Sequence, residues 1–154
     1  MPRGYGVNRK GAEGMIAWRA VSERLRKSRN YWVATMRPDG RPHVMPVWGV
    51  WVEGKLYFST HRRSRKARNL AANPAVVVHL ESGDDVVIVE GRAREVTSKT
   101  QLAPVDDAYF AKYKMRLTDI PPGSGIYAVE LRVAFAWREK DFPASTTRWS
   151  FKPK

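Results

Sequence analysis

The chain has 154 residues, with 28 Lys and Arg against 15 Asp and Glu, and its formal net charge at pH 7 is +13. This length suits one domain around one packed core, and 43% hydrophobic residues is ordinary for a globular protein. Because cysteine is absent, the sequence excludes disulfides, thiolate metal sites and cysteine nucleophiles. A positive field of this size attracts polyanions of any kind, from nucleic acid to phosphorylated small molecules.

No apolar run approaches the roughly 20 residues that a membrane helix requires, and the first ten residues lack an apolar signal core. We therefore expect a protein without a membrane span, located in the cytoplasm. Residues 1–13 are polar, rich in Gly and without periodicity, which predicts a flexible arm ahead of a single domain.

The element pattern predicts a mainly β protein with a few helices. Helical spacing of apolar residues occurs over 15–25, 65–72 and 99–115. Short apolar runs separated by turn residues predict strands at 31–36, 42–51, 55–59, 75–81, 86–96 and 126–137. Gly91 inside one of them suggests a bulge. Since hairpins join most strands, the pattern favours a small antiparallel barrel, and the aromatic tail 138–154 is expected to pack on that barrel or on a partner subunit.

The stretch 56–70 carries the clearest chemical signal. Its apolar strand ends in Ser59 and Thr60, and a run of cations without an acid follows: Arg62, Arg63, Arg65, Lys66 and Arg68. A helix that begins near Ser64 directs its free N–H groups and its positive dipole end towards those hydroxyls. This pattern is typical of a phosphate-binding site, and the alternative is a solvated basic turn.

Other chemical motifs are missing from the sequence. It contains no Gly-x-Ser-x-Gly elbow, His-Glu-x-x-His pair or Walker-type loop. Of the histidines, His61 is the candidate ligand contact because it follows the strand end, whereas His79 is expected in a sheet and His43 at the surface or behind the site.

Trp48 and Trp51 form either an apolar wall for a flat ring or part of the core. Without a self-contained catalytic set, a cofactor enzyme becomes the favoured interpretation, because the cofactor carries the reactive group.

Taken together, these motifs resemble the pyridoxamine 5′-phosphate oxidase-like split-barrel flavoproteins. The matching segments within residues 15–97 are 33–48, 56–60 and 64–74. Two tail segments, 134–137 and 147–151, are similar to the deazaflavin-dependent reductase branch of that family.

The resemblance implies a homodimer of six-stranded antiparallel split β-barrels with two cofactor sites at the subunit interface. It assigns the cofactor phosphate to Arg65 and Lys66, with Ser59 and Thr60 beside it. It also implies that one segment of the second strand runs along the cofactor ring, namely Met45, Pro46, Val47 and Trp48. True pyridoxamine phosphate oxidases have basic residues where this chain has Met45 and Val50, and their C-terminal Arg-x-His pattern is missing, which argues against vitamin B6 oxidation.

Two cofactors suit the resemblance, FMN and the deazaflavin coenzyme F420. Coenzyme F420 has an anionic oligoglutamate tail, which a surplus of Lys and Arg attracts. We therefore expect an F420-dependent reductase that delivers a hydride to a small conjugated or quinone-like molecule, with an FMN-dependent oxidoreductase as the alternative. A third interpretation is a nucleic-acid-binding barrel that stacks bases on exposed Trp residues, although we expect no nucleic acid partner. The sequence nominates no catalytic residue and no metal ligand.

Overall fold

The structure is a computed structural model that describes residues 15–153, so the arm predicted at 1–13 lies outside the described residues. The described residues form three α-helices and seven β-strands, in the order α1 (Trp18–Lys27), β1 (Asn30–Met36), β2 (Pro42–Val52), β3 (Lys55–His61), α2 (Arg65–Ala72), β4 (Ala75–His79), β5 (Asp85–Val96), α3 (Lys99–Tyr113), β6 (Ser124–Arg138) and β7 (Thr147–Ser150). No helix within this range combines the length and the apolar character that a membrane crossing requires.

The strands form one antiparallel sheet that closes on itself. Their order is β3-β2-β1-β4-β5-β6-β7, and β3 also pairs with β6. Strands β1 to β6 therefore make a six-stranded barrel, which confirms the predicted fold class, and β7 is an additional strand on β6. The tail packs on its own barrel, because the rings of Trp149 and Phe151 lie 5.3 and 4.9 Å from the ring of Trp18 in α1.

Two apolar cores lie on the two sides of the β2–β3 ribbon. The larger one fills the barrel and includes Tyr31, Val33 and Phe58, all fully buried. The smaller one lies between α3 and the outer face of β2 and β3, and it contains Val50, Tyr57, Val105, Tyr109, Tyr113 and Ile126. Helix α3 thus covers the part of the ribbon that would otherwise expose apolar side chains to water.

The last turn of α3 replaces a missing partner strand beside β2. The β1–β2 ladder ends at the pair Asn30 and Trp48. The residues just beyond this pair are Arg29, before β1, and Gly49, in β2. The Tyr113 hydroxyl lies between these two residues: it accepts a hydrogen bond from the Gly49 N–H at 2.9 Å and donates one to the Arg29 carbonyl at 2.6 Å. The backbone groups that the ladder leaves open are therefore satisfied by a side chain.

Lys112, the preceding residue, holds three elements together. Its ammonium donates hydrogen bonds to the carbonyl oxygens of Ser28 and Gly49, at 2.8 and 3.0 Å, and to the Tyr31 hydroxyl at 2.8 Å. Burial, together with the charge of Arg26, lowers the pKa of Lys112 to about 8. Position 49 has to be small, since a Cβ there would lie 2.9 Å from the Tyr57 carbonyl oxygen.

Gly91 marks the bulge that the sequence predicts in β5. The β5–β6 register shifts between Glu90 and Gly91, which confirms that prediction. A Cβ on Gly91 would lie 2.2 Å from the carbonyl oxygen of Glu130, a backbone atom that cannot move aside. The bend of the barrel at this point therefore requires glycine.

We expect Gly91→Ala to lower the free energy of unfolding by about 2 kcal/mol or more, because the added methyl group forces β5 and β6 apart. Gly83→Ala is the matched control: nothing lies within 4 Å of a Cβ at that position, and its effect should stay within about 0.5 kcal/mol. Denaturant titration of both variants checks this, and equal losses would contradict the steric argument.

We expect Tyr113→Phe to cost about 1–3 kcal/mol of unfolding free energy, because the buried Gly49 N–H then loses its acceptor. Tyr109→Phe is the control, since its ring lies in the same core, 4.9 Å from the ring of Tyr113, but bridges no strand ends. Thermal unfolding of both variants measures the difference, and similar losses for the two would show that the bridge contributes little.

Candidate functional site

Polar side chains converge where β3 ends and α2 begins. Ser64 is the N-cap of α2: its Oγ accepts a hydrogen bond from the Ala67 N–H at 3.1 Å. The same Oγ lies 3.0 Å from Oγ1 of Thr60, and Nζ of Lys66 donates to that Thr60 oxygen at 3.4 Å. Two hydroxyls, an ammonium and the N-terminus of a helix therefore face one place, as the sequence predicts.

Lys66 is a buried cation at this place. Its exposed fraction is only 7%, and burial lowers the pKa of its ammonium. Within residues 15–153, neither Lys66 nor Arg65 takes part in an ion pair with a carboxylate. Burying a charge without a counterion is energetically unfavourable. An anion bound here would supply the missing counterion.

The remaining cations of the block behave differently from one another. The Arg62 guanidinium forms an ion pair with Glu95 of β5 at 2.6 Å, so it is already neutralised within the chain. Arg63 and Arg68 are exposed. Only Arg65 and Lys66 combine the predicted position at the helix start with the absence of a carboxylate partner among the described residues.

His61 and Ser59 flank the same junction. Nδ1 of His61 accepts a hydrogen bond from the Arg63 N–H at 3.1 Å, and its ring packs on Gly123, where a Cβ would lie 2.6 Å from Nε2. Ser59 is half-buried and pairs with Ile126 of β6. Their contact with a ligand stays a prediction.

Two further residues, His43 and Arg37, lie near the start of α2. His43 lies opposite Thr35 in the β1–β2 ladder, and Thr35 accepts a hydrogen bond from Asn69 of α2 at 3.0 Å. Arg37 follows β1 directly, and its positive charge, like that of Lys66, acts on His43. The sequence did contain the information that pairs His43 with Thr35, because the hairpin at 37–41 fixes which residues of β1 and β2 face each other.

The four β2 residues expected along a ring divide between the two faces of the strand. Met45 and Val47 pair with buried Val33 and Tyr31, so they share the barrel-facing side with His43. Pro46 and Trp48 point to the opposite side. Met45 is 49% exposed despite its inward face, which shows that the barrel is open at this end. The side chain of Met45, rather than that of Trp48, shares the face that carries His43.

Trp48 and Trp51 have different roles in the fold. The ring of Trp48 stacks on that of Tyr113, with centroids 4.5 Å apart and an interplanar angle of 3°, and the Arg29 guanidinium lies 5.1 Å from its centroid. Trp48 is still 36% exposed, so its outer side is open to a ligand or partner. Trp51 packs on the barrel core beside Trp18, at 6.3 Å. His79 lies on the outer sheet face against Trp32, as expected.

A protein-family model described as pyridoxamine 5′-phosphate oxidase matches residues 17–138. A curated pyridoxine/pyridoxamine 5′-phosphate oxidase of Gluconobacter oxydans is 40% identical over 83 residues, which is 51% of this chain and 38% of that enzyme. The match therefore spans about two fifths of the curated relative's length.

Solved structures show the same architecture. A conserved hypothetical protein of Mycobacterium tuberculosis superposes with a TM-score of 0.73 at 24% identity, over 88% of this chain and 91% of that chain. A protein described as an F420 reductase superposes with a TM-score of 0.59 at 25% identity, over 82% of this chain and 98% of that chain. Because the family model covers most of its length, this chain belongs to the pyridoxamine 5′-phosphate oxidase family.

Proposed function

We propose that this chain is a reductase that uses reduced coenzyme F420 to deliver a hydride to a small conjugated or quinone-like molecule. The observation that carries the proposal is the buried ammonium of Lys66, which has no carboxylate partner within residues 15–153 and lies beside two hydroxyls at the start of α2. Such a group of donors matches the phosphate of a flavin-type cofactor.

The chemistry of the donors fits that phosphate. Arg65 and Lys66 supply positive charge, Thr60 and Ser64 supply hydroxyls, and the first N–H groups of α2 have no acceptor within the helix. Ser59 and His61 border this set. The half-exposed Met45, on the same strand face as His43, would then lie along the ring, with Pro46, Val47 and Trp48 contributing backbone or the opposite face.

When bound, the reduced cofactor supplies the hydride, and the protein's part is to bind and orient. The stacked Trp48 and Tyr113 rings give β2 a defined position, because Lys112 donates a hydrogen bond to the Gly49 carbonyl and the Tyr113 hydroxyl accepts one from the Gly49 N–H. Rigid support of this kind would hold the cofactor ring within reach of the molecule that accepts the hydride.

The preference for F420 rests on two observations. The net charge of +13 suits a cofactor with an anionic tail, since opposite charges steer association. The solved structure described as an F420 reductase aligns over 98% of its own length. An FMN-dependent oxidoreductase is the second candidate, because the matched family model and the curated relative are both pyridoxamine phosphate oxidases.

We further propose that the working form is a homodimer with the cofactor sites at its interface. Large apolar side chains are exposed on the outer face of the β1–β2 hairpin: Met36, Val44 and Trp48, at 41, 48 and 36%. On the opposite face, Met45 is 49% exposed. Exposed apolar side chains in a row of this kind mark an interaction surface.

Titration of the purified protein with F420, followed by quenching of cofactor fluorescence, should show saturable binding. Lys66→Met should weaken that binding about tenfold or more, because it removes a buried charge that would contact phosphate. Arg68→Ala is the matched control, since Arg68 is an exposed cation of the same helix, and its effect should be less than about threefold.

Other outcomes select other functions. Binding of FMN without binding of F420 would replace the proposal by the flavin alternative. Failure of both cofactors, with nucleic acid binding that weakens steeply as salt rises, would favour the polyanion-binding barrel. In that case Arg65→Ala with Lys66→Ala should change nucleic acid binding only modestly, because many cations share the contact.

A further inference from the structure

Two buried polar atoms of cationic or titratable side chains lie beside the anion site without a hydrogen-bond partner. They are Nε of Arg37 and Nδ1 of His43, and neither finds a partner within the described part of the chain. Buried polar atoms in native proteins are nearly always satisfied. Two such atoms on one hairpin therefore call for an explanation.

His43 is connected to α2 through the fold. His43 pairs with Thr35 across the β1–β2 ladder, Thr35 accepts a hydrogen bond from Asn69, and Asn69 lies one turn after Lys66 on α2. The Oδ1 atom of Asn69, in a residue that is fully buried, is also without a partner in residues 15–153. Three of the five unpaired buried side-chain atoms in residues 15–153 thus lie on α2 or on the hairpin beside it, and the other two, on Arg132 and Thr146, lie in β6 and just before β7.

The charges that face His43 are all positive. Burial lowers the pKa of His43 below its ordinary value of 6.5, and the charges of Arg37, Lys66 and Arg65 lower it further. These cations come from the two elements beside the imidazole, the loop after β1 and the start of α2. The nearest acid on that loop, Asp39, is in an ion pair with Arg41 at 2.9 Å.

We propose that Arg37 and His43 belong to the anion site of Arg65 and Lys66, and that binding of a phosphate or sulfate anion there is accompanied by uptake of one proton by His43. The inference rests on the proposed function for the identity of the physiological anion, the phosphate group of the cofactor, but its chemistry concerns any phosphate or sulfate anion. The proton comes from solvent and adds to the imidazole; no bond to the anion forms or breaks.

The direction of the pH dependence follows from the charges. In the free protein four positive groups would repel one another if His43 were protonated, so His43 is neutral near pH 7. A bound anion opposes the potential of these cations and raises the pKa of His43. Since the complex then holds more protons than the free protein, affinity rises as pH falls through the interval between the two pKa values.

The direct test is a proton NMR titration of the histidine ring resonances, with sulfate as the probe and chloride at equal ionic strength as the reference. Sulfate keeps both charges through this range, so the ligand itself releases or takes up no proton. His43→Gln identifies the His43 signal by its loss. We expect the pKa of His43 to be about one unit higher, or more, in sulfate than in chloride, and we expect Lys66→Met to reduce that difference.

Each outcome decides the proposal. A His43 pKa that is the same in both salts contradicts it, as does a sulfate effect that Lys66→Met and Arg37→Met leave unchanged. With F420 or FMN as ligand, wild-type affinity should improve more steeply than that of His43→Gln as pH falls through the two His43 pKa values that the NMR titration gives. Cofactor binding without this difference refutes the proton uptake alone, whereas a sulfate effect without cofactor binding refutes the proposed function alone.

Discussion

An ammonium group buried without a counterion is the constraint around which the candidate site is built. Lys66 is 7% exposed, and its recorded donor contact is the 3.4 Å hydrogen bond to the Thr60 hydroxyl. Removing a charge from water costs several kcal/mol unless it is paired. A fold that keeps this cost, and places a helix N-terminus and a capping serine beside it, is organised for a negative charge from outside the chain. The unpaired atoms of Arg37 and His43 extend the same argument across the hairpin.

The second determinant of the site's geometry is the point at which β2 stops pairing with β1. Beyond Trp48 the strand pairs with β3 instead, and the opened backbone groups of Arg29 and Gly49 are taken up by the Tyr113 hydroxyl. Helix α3, which covers the second core, thereby fixes the strand that borders the anion site. A change in α3 can therefore reach the site through Gly49 and Trp48, without any α3 residue at the anion-binding position.

Local signals explain how much of this the sequence could predict. Helix α2 has the predicted bounds, since Ser64 caps it and Asn73-Pro74 ends it. The β2–β3 turn and the bulge at Gly91 were confirmed for the same reason: Glu53 and Gly54 both have positive φ, and glycine is required at 91. The sequence could not reveal the ion pair of Arg62 with Glu95, which joins residues 33 positions apart. Nor did it place Arg37 near the site or decide whether His43 lies at the surface or behind the site, because that needs α2 folded against β1.

For binding an anion at the candidate site, the positions of the charges matter more than the net charge. A net charge of +13 describes attraction at long range, which salt screens within about 10 Å. Around the site, Arg62 is paired with Glu95 and Arg41 with Asp39, whereas Arg65 and Lys66 take part in no ion pair within the described residues. A surface that bound polyanions unselectively would need no such division. The pairing of the flanking cations, together with the burial of Lys66, instead concentrates uncompensated charge at one point, and this is the property that a site for a single phosphate requires.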